Sequence, residues 1–274
     1  MLKRLFLYTA WILSSPCVFS QGVKDTTGQV YRIHPAVDFP VEGAAIAWDL
    51  YGFSQVSNKD GASQARVEAL KTSDIPWFDR WAVRPYSRSV DKLSYVPFYV
   101  AMPLPLIVCA LDKKLRKDFW KLTFLYGEAM TLTGVLYTSA THYVNRFRPL
   151  VYSAESPMNV RTSGNARNAF FAGHVALVGT SAFFVAKVLA DYHPDSKVKW
   201  LYYSLAGAIT GATGYLRHRA GEHFPSDIFI GTGVGVASGL LTPSLHRIRA
   251  VSNRRLTIFP FSGQGHGVAM FYKL

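Results

Sequence analysis

Five apolar segments of membrane-spanning length constrain the fold of this 274-residue chain more than any other feature. They run roughly from Leu93 to Leu111, Phe119 to Ala140, Phe170 to Ala190, Trp200 to Leu216 and Ile228 to Leu241. A hydrocarbon layer about 30 Å thick takes about 20 apolar residues in a helix, which satisfies its own backbone polar groups there. The fifth segment is short and carries Gly231, Gly233, Gly235 and Gly239, which permit close helix packing. The expected fold class is therefore all-α, a membrane-embedded helical bundle of about five to six spans. An amphipathic stretch from Val41 to Val56 is interrupted by Glu42 and Asp49, so it reads as a surface or interfacial helix rather than a span.

The N-terminus has Lys3-Arg4, an apolar run from Leu5 to Phe19, then Ser20-Gln21, the order of a secretory signal. The expected organisation is a signal peptide or signal anchor over 1–20 and a non-cytoplasmic N-terminal region over 21–92. A helical bundle over 93–246 and a C-terminal tail over 247–274 complete it. In the tail, Gly263-Gln264-Gly265 suits the turn of a short hairpin.

Charge orients the bundle. Lys113, Lys114, Arg116 and Lys117 separate the first two segments, Lys197 and Lys199 the third and fourth, and Arg247, Arg249, Arg254 and Arg255 follow the fifth. If the spans alternate, these clusters share one side, which the positive-inside rule makes cytoplasmic. The loops from Thr141 to Ala169 and from Arg217 to Ser226 then lie on the other side. The net charge of +13 points to anionic partners. No zinc-finger spacing, basic helix or aromatic RNA motif accompanies it, so nucleic acid is the weakest candidate. The two cysteines, Cys17 and Cys109, leave one in a processed chain, so neither a disulfide nor a cysteine metal site is expected.

Three stretches on the non-cytoplasmic side carry chemistry. They are His142-Tyr143-Val144-Asn145-Arg146-Phe147-Arg148-Pro149, Phe171-Ala172-Gly173-His174, and Arg217 through Gly221 and His223 to Asp227. Pro225 suits the first turn of a helix and Asp227 its N-terminal turn, which places His223 where free backbone N–H groups attract anions. A carboxylate within reach of the histidine ring fixes its tautomer and leaves the other nitrogen free to attack. Arg217 can grip an oxyanion with its planar fork. By itself the pattern also fits a polar loop capping two helices.

Together the stretches resemble the signature of the type 2 phosphatidic acid phosphatase superfamily, whose relatives include bacterial acid phosphatases and vanadium haloperoxidases. That pattern is K-x6-R-P, then P-S-G-H, then S-R-x5-H-x3-D. Arg148-Pro149, Gly173-His174 and Arg217-x5-His223-x3-Asp227 match it in order. Thr141 stands at the lysine position, Phe171-Ala172 at the Pro-Ser, and Leu216 at the serine. The resemblance implies an α-helical bundle in which His223 is the nucleophile, Asp227 orients it and His174 is the general acid. It also implies that Arg148, Arg217 and the N–H of Gly173 hold the phosphoryl oxygens. Arg146, Arg161 or Arg167 would make up for the absent lysine. No metal or cofactor is needed in this scheme.

The function expected from the resemblance is hydrolysis of a phosphomonoester or diphosphate, most naturally lipid-linked, through a phosphohistidine. The setting would be a bacterial inner membrane with the site facing the periplasm. Undecaprenyl diphosphate, phosphatidylglycerol phosphate and lipid A phosphates are candidate substrates. Two alternatives stand beside it: a catalytically weak lipid-phosphate binding or scaffold protein, favoured by Thr141, Phe171 and Ala172, and a vanadate-dependent haloperoxidase. Outside the motifs, Arg84-Pro85 reads as a loop and His142 and His218 as structural neighbours of the site. His193 and His246 read as solvated, and Glu128 and Lys187 as facing the bundle interior or snorkelling.

Overall fold

The computed structural model describes residues 29–248 and the backbone of 256–262 and 266–272. The signal-like segment 1–20 lies outside the described residues. By internal packing the chain divides into two units, Val30–Arg247 and the two termini.

The first unit is helical. Its elements are α1 (Pro35–Ser57), α2 (Gln64–Glu68), α3 (Arg88–Ala101), α4 (Leu104–Leu111), α5 (Phe119–Tyr143), α6 (Met158–Arg161), α7 (Gly173–Tyr192), α8 (Lys199–Arg219) and α9 (Pro225–Leu245). The five apolar segments are all helical, the first interrupted between α3 and α4 at Met102-Pro103. Three helices are long and apolar enough to cross a membrane by length and composition: Arg88–Leu111, Gly173–Tyr192 and Pro225–Leu245. Exposed apolar side chains such as Tyr99, Leu205, Phe229 and Leu241 are what a lipid-facing surface requires.

α7 is the central helix. In its apolar window 67% of residues are buried, against 22% and 33% in the other two candidates. It packs on α9, α8, α5, α4 and α3. Its contact with α9 runs along Gly231, Gly235 and Gly239, one turn apart. A Cβ at Gly231 or Gly239 would stand 2.6 Å from the carbonyl oxygen of Ala172 or Thr180. The expected close packing of the glycine-rich segment is thus present, and it brings the N-terminus of α7 beside that of α9.

α1 covers the stretch expected as a surface or interfacial helix, and it is not among the three helices long and apolar enough to span. Over 23 residues it packs along α5, and the acidic residues that interrupt its apolar pattern face that neighbour. Glu42 accepts a hydrogen bond from Thr131 Oγ1 at 2.8 Å, and Asp49 accepts from Thr138 Oγ1 at 3.5 Å. Val37, Val41, Leu50 and Tyr51 are the exposed side. Polar groups turned inward and apolar groups outward are the pattern of a helix packed in an apolar medium.

The basic loops gather at one end. His193 Nε2 meets Asp112 at 2.8 Å, Lys114 Nζ donates to Tyr192 O at 3.3 Å, and Arg247 pairs with Asp191 at 3.0 Å. His193 is therefore paired rather than freely solvated. So is His246, whose Nε2 lies 2.9 Å from Glu128 and whose Nδ1 lies 3.1 Å from Arg32 O. Lys187 pairs with Asp191 one turn along α7. The three motif stretches lie at the opposite end, as the alternation of helices requires.

The second unit contains an antiparallel pair, β1 (Leu256–Ser262) and β2 (His266–Tyr272), in the register Leu256 to Tyr272 through Ser262 to His266. The hairpin expected of the tail is present. Its turn residues lie outside the described ones.

Candidate active site

Two backbone pairings assemble the site. The segment around Arg146 runs beside Ala166–Ala169: Arg148 N donates to Ala166 O at 2.9 Å, and Ala169 N to Arg146 O at 3.1 Å. The turn before α9 closes on them through Leu150 N to Gly221 O at 3.0 Å. Gly221 has φ +80°, a left-handed conformation that favours glycine, and a Cβ there would meet the Pro85 carbonyl oxygen at 3.0 Å. The Arg84-Pro85 loop is thus the wall against which the histidine turn is folded.

A cavity of about 230 Å³ lies at the centre, lined by Arg148, Gly173, His174, Arg217, Glu222 and His223 together with Tyr86, Asp91, Tyr95 and Tyr137. Five of the residues expected at the site, His223, His174, Arg148, Arg217 and Gly173, are brought together here.

His223 is 2% exposed, and its Nδ1 lies 2.8 Å from Ala169 O. A carbonyl oxygen only accepts, so Nδ1 carries the proton and Nε2 keeps its lone pair. Burial, reinforced by the charges of Arg148 and Arg217, holds the ring well below the usual histidine pKa, so it is neutral at pH 7. His174, at the second position of α7, is flanked edge-on by Tyr95 at 4.8 Å and Phe98 at 5.3 Å. Neither of its nitrogens has a hydrogen-bond partner among the described residues.

The arginines are held by carboxylates. Arg217 NH1 donates to Asp91 at 2.6 Å and to Ser94 Oγ at 3.0 Å, and its NH2 to Glu222 at 2.9 Å. Arg148 pairs with Glu222 through NH1 and donates from NH2 to Asn165 Oδ1 at 2.9 Å. The Nε–H of each arginine is buried without a partner. Burial and the nearby Arg217 charge lower Arg148 to about 10, which leaves it charged at neutral pH. α7 begins at Gly173 with no side-chain cap, so its first N–H groups are free beside the same cavity. Unpartnered guanidinium N–H groups and an uncapped helix N-terminus together suit an anion.

Two expected site residues lie elsewhere. Asp227 accepts from Phe224 N at 3.0 Å and pairs with Arg146, while the partner of His223 Nδ1 is the Ala169 carbonyl. The orienting carboxylate expected from the motif spacing is replaced here by a backbone oxygen. Arg146 is tied between two buried carboxylates, Asp227 and Asp79, the latter at 2.6 Å, and its guanidinium stacks on Phe224 at 4.6 Å. That position is a structural tie outside the cavity, which corrects the expectation that Arg146 holds phosphate. Arg161 donates to Val151 O and Arg167 to Asp60 O, so neither enters the cavity. Thr141 turns its hydroxyl back to Tyr137 O at 2.8 Å.

Glu222, Asp91 and Tyr137 are the site residues that sequence reasoning missed, and Asp79 is the missed partner in the tie beside it. Glu222 stands one position before the motif histidine, where an acid beside two arginines is the available signal.

The model of the PAP2 superfamily matches residues 122–250, which contain all three stretches. Over those residues, just under half of the chain, it is similar to the PAP2 superfamily. That match is the ground for reading the chain as a phosphatase. Solved structures similar to it include Aquifex aeolicus LpxE, 21% identical, covering 60% of this chain and 92% of that one with a TM-score of 0.42. A transmembrane PAP2 type phosphatidylglycerolphosphate phosphatase from Bacillus subtilis is 19% identical, covering 74% and 94%, also with a TM-score of 0.42. No curated protein matches the sequence.

Proposed function

We propose that this chain hydrolyses a lipid-linked phosphomonoester or diphosphate through a phosphohistidine on His223. The observation that carries the proposal is the buried imidazole whose Nδ1 is committed to Ala169 O, beside two arginines with free Nε–H groups. Nε2 attacks phosphorus as the bond to the leaving oxygen breaks. His174, whose nitrogens are free, gives the leaving oxygen its proton. A bound phosphoryl anion adds negative charge beside that ring, which favours its protonated form. Water then attacks the phosphorus, the P–N bond breaks, His174 takes the water's proton, and inorganic phosphate leaves. Arg148, Arg217 and the N-terminus of α7 neutralise the equatorial oxygens, which is where most phosphoryl-transfer catalysis resides.

The lipid assignment is supported by the setting. An apolar groove of about 410 Å³, lined by Trp81, Tyr215, Ile228 and Phe229, adjoins the site end. His218 on the same groove approaches His223 O at 3.5 Å. The placement at the periplasmic face of a bacterial inner membrane rests on the basic clusters at the opposite end.

The test is phosphate release by the purified protein from a panel of lipid phosphates and diphosphates, with His223→Ala as control. Turnover by the wild type and an acid-labile, base-stable adduct lost in His223→Ala are expected. Phosphate release by His223→Ala at the wild-type rate would refute the nucleophile. Binding of lipid phosphates without release would favour the scaffold reading.

A further inference from the structure

We infer that Tyr137 contacts the phosphoryl group, its hydroxyl acting as a third donor beside Arg148 and Arg217. The inference rests on the proposed phosphatase site and adds a residue that no motif includes. Tyr137 lies on α5 one turn before Thr141, and its ring crosses the N-terminus of α7. A Cβ at Gly173 would stand 2.7 Å from Tyr137 Cε2 and 3.1 Å from Cζ. The carbon bearing the hydroxyl is thus at the uncapped end of α7, on the wall of the cavity that holds His174 and His223. Phe171 edge-on at 5.8 Å and Phe53 at 6.0 Å fix the ring. Among the described residues no hydrogen bond engages the hydroxyl, although Tyr86, in the same cavity, gives its own to Asp91 at 3.0 Å. Tyr95 uses its ring instead, edge-on to His174 and beneath the Arg217 guanidinium at 5.7 Å.

The cationic candidates for a third donor are occupied. Arg146, Arg161 and Arg167 bond elsewhere, as described above. Lys59 caps Thr141 O at 2.7 Å and lines a separate cavity with Asn145 and Arg167. A phenol can donate one short hydrogen bond to an oxyanion and adds no charge. The size of Gly173 is explained on the same ground: any side chain there would displace the ring.

Tyr137→Phe keeps the ring contacts and removes only the hydroxyl. Vanadate inhibition and kcat/KM for an aryl phosphate are measured on the detergent-purified full chain, with the thermal midpoint as a check on folding. Loss of an oxyanion donor costs roughly 100-fold in favourable cases. Vanadate inhibition weakened at least about 10-fold, with kcat/KM falling about 10- to 100-fold, is expected. Values within about twofold of the wild type would overturn the inference and leave the phosphatase reading intact. A wild type that neither turns over nor responds to vanadate would overturn both. Fluorotyrosine at position 137 gives a second readout: its fluorine resonance should shift on vanadate saturation, and an unmoved resonance would count against contact.

Discussion

Arg146→Met separates a structural tie from a phosphate ligand. Arg146 is the shared cation of Asp79 and Asp227, both 0% exposed. Asp79 also accepts from the N–H and hydroxyl of Ser226, at 3.2 and 2.5 Å, which fastens the N-terminal region to the first turn of α9. Removing one partner of a buried ion pair costs about 3–5 kcal/mol, because the other charge is left uncompensated. Here two carboxylates lose one cation, but burial already raises Asp227 to about 7, so it can take up a proton, which brings the cost toward the lower end. Loss of the stacking on Phe224 adds on the order of 1 kcal/mol. A total of about 4 kcal/mol corresponds to a fall of roughly 10 °C in Tm for a unit of this size. Asp79→Asn added to Arg146→Met removes one orphaned charge and should recover part of that fall. Tm of the detergent-purified protein and vanadate inhibition at a temperature where both proteins are folded are the assays. A Tm within about 2 °C of the wild type would refute the tie. A folded variant with vanadate inhibition weakened 10-fold or more would show that Arg146 reaches the phosphoryl group after all.

His174→Ala should lose turnover of alkyl phosphates by at least about 100-fold while partly sparing aryl phosphates, whose leaving oxygens need less protonation. Equal losses on both, read as kcat, would count against His174 as the acid. His246, at the basic end, is lowered by burial but raised more by its hydrogen bond and charge pairing with Glu128, with Asp38 adding to this. Its folded-state pKa is therefore above the unfolded value of about 6.5. That contribution to stability is full below about pH 6.5 and is lost as pH rises through the folded value. His246→Gln should flatten the fall in Tm above pH 6.5, and an unchanged slope would assign that fall to other groups.

The helices and the polarity of the bundle were legible because they rest on long averages. Apolar runs of about 20 residues and three clusters of lysine and arginine survive local irregularity. The glycine seam was legible too, because small residues one turn apart have few other uses. The partners of single side chains were not. His223 Nδ1 meets a backbone oxygen 54 residues away in the chain, and a carbonyl carries no residue-type signature. The spacing of Asp227 to His223 suggested contact, but the first turn of α9 directs that carboxylate to the N–H of Phe224 and to Arg146. Asp79 and Asp91 lie in a polar region where acids are ordinary, and only the fold shows that each meets an arginine of a motif. Glu42 and Asp49 read as breaks in an apolar face because a single sequence does not say which side of α1 is buried.

Glu222 explains how the arginines can be buried before substrate arrives, and it sets a final prediction. Arg148 and Arg217 contribute two positive charges to the cavity, and Asp91 and Glu222 two negative ones, so these four groups cancel. Asp91, Glu222 and the Asn165 amide oxygen take the NH1 and NH2 ends and leave each Nε–H unpaired. Affinity for a phosphoryl anion then comes from oriented donors, with little net charge behind it. Glu222→Gln removes one negative charge from the cavity wall, worth at most about 3 kcal/mol for an anion placed about 5 Å away at an effective dielectric of about 20. Water in the cavity and looser arginines reduce this to about 1 kcal/mol, or fivefold to tenfold in vanadate inhibition. Inhibition should therefore tighten in Glu222→Gln. kcat should fall, because the glutamine amide presents an N–H to one of the arginines and loosens its hold. Glu222→Asp keeps the charge and should not tighten inhibition. Weaker inhibition in Glu222→Gln would mean that the carboxylate matters only as a clamp on the two guanidinium groups.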